Sequence, residues 1–252
     1  MDDDVLTALA AQDRELDDLV RDLDTAGLET PSRCTGWSVA DVLLHLAQSN
    51  EMAVASVTDR WEAAVESRAL RMAAARPADV EELAAVMVDI DRAGPEASRD
   101  RWQASVVAME AAVAAADPRA RVQWVAGELA ARTLATTRLA EAWIHTIDVA
   151  VGLGVDVAPT DRLWHIARLA WRTVPYALAQ GGHDPAGAVR FVLTGPAGEP
   201  WAFGPDDAPT TVSGAALDLC AVAGQRMAAA DSGLQGEGPD AEATLRLVRT
   251  FA

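Results

Sequence analysis

The chain has 252 residues, half of them hydrophobic, and a formal net charge of −17 at pH 7. This length allows one large domain or two ordinary ones, and the apolar fraction is sufficient for a full core. The negative charge repels phosphate backbones and anionic membranes, so we expect neither nucleic acid nor a membrane as a partner.

The two cysteines, Cys34 and Cys220, have no metal-ligand spacing, which favours two reduced thiols. The acidic N-terminus has neither the basic region nor the apolar region of a secretory signal. No charge-free apolar stretch reaches the roughly 18 residues that span a bilayer. We therefore expect a cytoplasmic protein, a monomer or a homodimer, that acts on a small molecule.

Apolar periodicity predicts an amphipathic helix over 5–23, followed by a turn over 30–36. Ser38, with Asp41 three residues later, resembles a capping box and begins a helix over 39–57 that can continue into 60–75. Further helices are predicted at 79–92, 97–116 and 130–151, the last one stopped by Gly152 and Gly154. Four long antiparallel helices of this kind form a bundle.

The pattern changes after Gly154. A linker precedes a helix predicted at 161–180, and short β-like runs bounded by Gly and Pro follow at 188–195, 199–204 and 210–214. Two more helices are predicted at 215–230 and 239–251. The sequence thus predicts a mainly α protein, with a four-helix bundle over 1–155 and a small α+β domain over 156–252.

Two predicted helices carry the candidate chemistry. One contains His45 and the other contains Glu141 and His145, which are i,i+4 neighbours on one face. Two imidazoles and a carboxylate with a vacant fourth position are typical of catalytic zinc. The alternatives are that His45 is a packing residue and that the sector of Arg138, Glu141, His145 and Asp148 is a solvated, salt-bridged face.

The remaining candidates are weaker. His165 is flanked by apolar residues on a helix, which indicates a structural role, and His183 lies in a Gly/Pro loop, which indicates exposure. Cys34 has only Arg33 beside it to lower a thiol pKa, which is weak support for a nucleophile.

The string TPSRCTGWSVADVLLHLAQSNEMA resembles the N-terminal signature of the actinobacterial mycothiol-dependent maleylpyruvate isomerase family, within the DinB-like metal-binding superfamily. Gly36, Trp37 and His45 occupy the signature positions. A second signature, Glu-x-Trp-x-His-x-x-Asp, is met by Glu141, Trp143, His145 and Asp148. The segment from FVLTG to AGQR is similar to the small C-terminal domain of this family. Details of the C-terminal half, the string RLWHIARLAWRTVPYAL in particular, are closer to an uncharacterised metal-binding subgroup.

The resemblance implies a DinB-like bundle that holds a divalent metal, with zinc expected, through His45, Glu141 and His145. It implies Asp148 as a supporting partner, an extra ligand or a substrate contact. Mycothiol is the implied cofactor, because a bound cation favours a reactive thiolate.

Arg226 resembles a family arginine that is thought to face the site, where it would act in catalysis by clamping a carboxylate. Its alternative role is an ordinary helix-surface arginine. Arg138 can bind substrate in the same way, or merely pair with Glu141.

The leading functional prediction is a metal-dependent isomerase or thiol transferase that acts on a small carboxylate-bearing substrate. The alternatives are a hydrolase, lyase or biosynthetic cyclase that needs no thiol, and a non-enzymatic protein that binds a metal or a ligand. Whether the chain is an enzyme stays open at this point, because such motifs indicate the metal site better than the reaction.

Overall fold

The computed structural model describes residues 4–72, 80–125 and 127–250. Predictions that fall on residues 1–3, 73–79, 126 and 251–252 lie outside the described residues. The chain divides into two compact units, Met1–Val157 and Ala158–Ala252, and each is described by itself. The architecture is mainly helical, as the sequence predicts, with a small sheet in the second unit.

The first unit is built on four long helices. They are α1 (Val5–Val20), α3 (Val39–Val57), α6 (Pro95–Ala115) and α7 (Ala131–Leu153). Helix α3 packs against α6 and α7, while α1 packs against α7 and α6. The shorter elements of this unit are α2 (Thr25–Leu28), α4 (Trp61–Arg71), α5 (Val80–Asp91) and the paired strands β1 (Arg121–Val122) and β2 (Leu129–Ala130).

Local backbone signals place several helix ends. The predicted capping box begins α3: Ser38 Oγ accepts from Asp41 N, and the Asp41 carboxylate accepts from Ser38 N. Helix α3 ends before Asp59, whose positive φ of 54° interrupts the helix, so the predicted continuation into 60–75 becomes the separate α4. The first helix ends at Val20 rather than at residue 23, because Asp24 caps the short α2 instead.

The second unit is a small α+β fold. It contains α8 (Leu163–Gln180), β3 (Val189–Thr194), β4 (Pro200–Phe203), β5 (Thr210–Ala215), α9 (Ala216–Ala223), β6 (Gln235–Glu237) and α10 (Ala241–Leu247). The strand order is β4-β3-β5-β6, with β3 and β5 parallel and the other pairs antiparallel. Alternate residues of β3 and β4 are buried, so one face of the sheet packs on the core.

Two predictions in the second unit need correction. The strand β6 was missed, because Gln235–Glu237 is an exposed edge strand without hydrophobic alternation. The helix predicted over 215–230 ends at Ala223. After Gly224, Gln225 adopts a left-handed φ of 58°, and Arg226 N donates to Ala221 O at 2.8 Å, which is a helix-terminating turn.

Within the part of the chain that the structure describes, no helix combines the length and the apolar character that crossing a bilayer requires.

Candidate metal centre

The bundle brings three of the predicted site residues together. His45 lies two turns into α3, and Glu141 and His145 lie one turn apart on α7. Glu141 Oε2 is 3.8 Å from His45 Nε2 and 3.7 Å from His145 Nε2. The two imidazole rings meet edge to face, with centroids 5.0 Å apart. One ligand atom from each residue lies within 4.8 Å of the others.

This donor set fits a divalent cation. Zinc bonds of about 2.0–2.2 Å in a tetrahedral shell separate ligand atoms by roughly 3.3–3.6 Å, so a small closure of the three side chains brings them to an ion. Solvent reaches His45 and Glu141, whose side chains are 18% and 21% exposed. Ligands from solution can therefore approach the same point.

The surroundings of His45 and Glu141 favour the protonation states that metal binding requires. Burial lowers the pKa of His45, which favours the neutral imidazole with a lone pair to offer. Burial opposes ionisation of Glu141, but its pairing with His45 and the positive charge of Arg138 outweigh burial and lower the pKa of Glu141 to about 2. The cluster thus has an anionic carboxylate between two imidazoles.

Asp148 is placed behind His145. Its side chain is fully buried, and Asp148 Oδ2 is 3.0 Å from His145 Nδ1. A carboxylate at Nδ1 fixes the proton on that nitrogen and leaves Nε2, on the Glu141 side of the ring, as the electron-pair donor.

Cys34 also belongs to this neighbourhood, which sequence reasoning missed. Cys34 Sγ is 3.2 Å from Asp148 Oδ2 and 3.9 Å from His145 Nδ1. The sequence signal for Cys34 is its position three residues before Trp37 in the first signature. The contacts of Cys34 with residues 111 and 114 positions away could not be predicted from the adjacent Arg33.

Arg138 is buried in the bundle, with 2% exposure. Its Nη2 donates to Ser49 Oγ at 2.9 Å, and its guanidinium carbon lies 5.9 Å from the centroid of the Trp124 ring. Nε is buried without a hydrogen-bond partner among the described residues. The alternative of a solvated face is wrong for Arg138, His145 and Asp148, because α7 is covered on this side too.

Comparison with known proteins shows the family to which the chain belongs. The family model of the mycothiol maleylpyruvate isomerase N-terminal domain matches residues 9–150, more than half of the chain. The chain belongs to this family.

Two relatives of this chain are uncharacterised proteins from two strains of Mycobacterium tuberculosis. Each is 32% identical over 245 residues, which cover 97% of this chain and 93% of the relative. Crystal structures of the mycothiol-dependent maleylpyruvate isomerase and of a histidine-to-alanine mutant of it match with a TM-score of 0.59 and 19% identity, covering 94% of both chains. These structural matches support the shared fold.

The family resemblance also implied Arg226, which lies in the second unit, in the turn after α9 rather than on the helix surface that we considered as its alternative. Its Nη1 donates to Gly224 O at 3.1 Å. The chain bends back at this point because of the left-handed Gln225.

The remaining candidates from the sequence are His165, His183 and the two cysteines. His165 is buried and meets Trp164 edge to face, with ring centroids 5.2 Å apart, in agreement with the structural role predicted for it. His183, which the sequence predicts to be exposed, has a side chain that is 31% exposed, and its Nε2 lies 2.9 Å from Asp240 Oδ1. Both cysteines are thiols, and Cys220 is buried.

Proposed function

We propose that this protein is a metal-dependent enzyme of the mycothiol-dependent isomerase or thiol-transferase type, acting on a small carboxylate-bearing substrate. The observation that carries the proposal is the convergence of His45, Glu141 and His145 from two helices within the family's own domain. The solved structural relative, a mycothiol-dependent maleylpyruvate isomerase, supplies the candidate thiol and the substrate class.

The residues of this chain provide a binding point for a cation, with zinc as the expected ion. Glu141 supplies the negative charge, and the two imidazoles supply nitrogen donors. A divalent cation held there lowers the pKa of a thiol, so that the reactive thiolate persists at neutral pH. The exposed edge of His45 and Glu141 is the side from which thiol and substrate would approach.

The other proposed roles rest on burial for Arg138 and Asp148 and on the family resemblance for Arg226. The burial of Arg138 favours a supporting role over substrate contact, in which its positive charge helps to hold Glu141 ionised. Arg226, with its guanidinium fork, is the proposed partner of the substrate carboxylate. For Asp148, full burial and the contact with His145 favour a supporting role over substrate contact.

The test begins with the metal content of the purified protein, measured by elemental analysis beside the variant Glu141→Ala. We expect about one divalent ion per wild-type chain and a strong depletion in the variant, since two imidazoles alone bind weakly. Equal metal content in both proteins would contradict the site.

The reaction is tested separately, by following the cis/trans isomerisation of maleylpyruvate with the metal-loaded protein, with and without mycothiol. We expect turnover that requires the thiol and is lost in Glu141→Ala. Turnover that persists without thiol would contradict mycothiol dependence and leave the metal site intact. A metal-loaded protein inactive in both the isomerisation and thiol-transfer assays would contradict the reaction type.

A further inference from the structure

The segment between α2 and α3 forms a closed turn, here called the Cys34 turn (31–38). Its two ends pair through a β-bridge between Pro31 and Ser38. Inside it, Trp37 N donates to Cys34 O at 3.0 Å, and Ser32 Oγ donates to Trp37 O at 2.8 Å. Cys34 N in turn donates to Ser32 Oγ at 3.1 Å. These bonds hold the backbone of Cys34 in place independently of its contacts with the bundle.

The Cys34 turn is docked on α7. Arg33 N donates to Asp148 O at 3.0 Å, so the turn is hydrogen-bonded to the same residue whose side chain contacts His145. One turn further along the helix, Gly152 lies directly against Pro31, where a β-carbon would be 2.4 Å from the Pro31 carbonyl oxygen. The backbones of Gly152 and Pro31 are therefore in direct contact, with no room for a side chain at position 152.

At this contact the thiol of Cys34 donates to Asp148 Oδ2 at 3.2 Å. The same oxygen lies 3.0 Å from His145 Nδ1. A carboxylate oxygen has two lone pairs, so it accepts from the thiol and from the imidazole N–H together. With both donors in place the buried carboxylate has one orientation, and the ring of His145 is fixed with Nε2 towards Glu141.

We propose that Cys34 is a positioning residue for the metal centre of His45, Glu141 and His145. Its S–H bond holds the Asp148 carboxylate, which in turn orients the His145 ring and fixes its tautomer. The inference rests on the proposed function only in that the centre binds a divalent cation. It assigns the thiol a role that is distinct from nucleophile and from ligand.

The rival role is that of a ligand, because Cys34, His145 and Asp148 also have donor atoms within 4.8 Å of one another. Two observations favour positioning. The 3.0 Å separation of His145 Nδ1 and Asp148 Oδ2 is a hydrogen-bond distance, and a nitrogen that donates its proton there has no lone pair for an ion. The orientation also leaves Nε2 for the cluster that is open to solvent.

The experiment compares Cys34→Ala, which removes the donor, with Cys34→Ser, which retains one. Zinc and cobalt affinities are measured by competition with a chromophoric chelator, and the cobalt spectrum is recorded for each protein. We expect Cys34→Ala to weaken metal binding by about 10-fold, as is typical when a hydrogen-bonding group that orients a metal ligand is lost. Cys34→Ser should recover most of this loss, and no cobalt–thiolate charge-transfer absorption should be present in the wild type.

Controls separate folding from positioning. Thermal unfolding of the metal-free variants tests whether the bundle still folds. Cys220→Ser, which changes the thiol of the second unit, is the control for the loss of a thiol elsewhere in the chain. The wild type itself provides a measurement without substitution: ¹⁵N NMR of the metal-free protein at neutral pH should find His145 protonated at Nδ1. Protonation at Nε2 instead would overturn the proposal, even if every Cys34 variant failed to fold.

The outcomes discriminate between the two proposals. Metal affinity unchanged in Cys34→Ala overturns the positioning role, while a loss in Glu141→Ala keeps the proposed function. A cobalt–thiolate absorption that disappears equally in Cys34→Ala and Cys34→Ser makes Cys34 a ligand and also overturns positioning. A wild type that binds no metal overturns both.

Discussion

Gly152 touches the backbone of Pro31 so closely that a β-carbon at this position would lie 2.4 Å from the Pro31 carbonyl oxygen. The sequence predicts that Gly152 and Gly154 stop α7. The helix continues through Gly152 to Leu153, and the left-handed Gly154, with φ 67°, ends it. Gly152 is therefore needed for close packing of the Cys34 turn, and Gly154 for the helix end.

Gly152→Ala should destabilise the first unit. Alanine favours helix by about 1 kcal/mol over glycine, but the clash is with backbone, which cannot rotate away, and overpacking of this kind costs about 1–3 kcal/mol. We therefore expect a lower unfolding midpoint in urea together with weaker metal binding. Val151→Ala, at the neighbouring residue with 55% exposure, is the control and should change neither quantity appreciably. A Gly152→Ala protein more stable than the wild type would contradict the packing argument.

Metal addition should stabilise the wild type and not Glu141→Ala. A ligand that binds the folded state alone raises the free energy of unfolding by about 2.7 kcal/mol at a hundred times its Kd. Because Glu141 lies between the two imidazoles, its removal takes away the charged donor. The melting temperature is measured with added zinc and with a chelator. Equal shifts in both proteins would assign the binding to other groups.

Local signals explain which parts of the fold could be predicted. The start of α3 follows from Ser38 and Asp41, which lie three residues apart, and the i,i+4 relation of Glu141 and His145 follows from helix geometry. The approach of His45 to this pair depends on how α3 packs on α7, which helical spacing does not determine. The family resemblance was needed to predict it.

The rest of the site depends on long-range packing. A helical wheel assigns α7 one polar sector. In the structure, α1, α3 and the Cys34 turn all pack on α7, so Arg138, His145 and Asp148 are buried. The contact between Cys34 and Asp148 joins residues 114 positions apart and has no periodic signature. Such contacts follow from tertiary structure rather than from local pattern.

Asp13 on α1 should reduce stability at neutral and alkaline pH. It is 4% exposed, and its Oδ2 is buried with no hydrogen-bond partner among the described residues. Burial, with Glu110 contributing, raises the pKa of Asp13 from 3.8 to about 7, against the opposing charge of Arg138. Between these two values the folded state holds more protons than the unfolded state, so stability falls as the pH rises.

Asp13→Asn removes this ionisation. We expect its free energy of unfolding to exceed that of the wild type at pH 8 by up to about 4 kcal/mol and to approach it near pH 4. Urea denaturation across this range provides the measurement, with Asp18→Asn, an exposed acid of the same helix, as the control. Parallel pH profiles for Asp13→Asn and the wild type would contradict the assignment.

Asp240 holds the loop after α8 in the second unit. Its buried carboxylate lies 2.9 Å from His183 Nε2 and accepts from Ala186 N at 3.0 Å, while Asp240 N donates to Thr210 Oγ1 at 3.1 Å. The contact with His183, opposed by burial, lowers the pKa of Asp240 below 3.8. This stabilisation is therefore present above about pH 4 and is lost as the pH falls through the folded-state pKa.

Asp240→Asn should cost about 1–3 kcal/mol near neutral pH, because an amide oxygen accepts more weakly and its NH₂ group faces donors. The difference from the wild type should narrow as the pH falls below 4, where the carboxylate itself becomes protonated. Asp207→Asn, an exposed acid of the same unit, is the matched control, and unfolding is followed by urea denaturation with tryptophan fluorescence. A difference that stays constant down to pH 3 would mean that the ionised carboxylate is not what stabilises this loop.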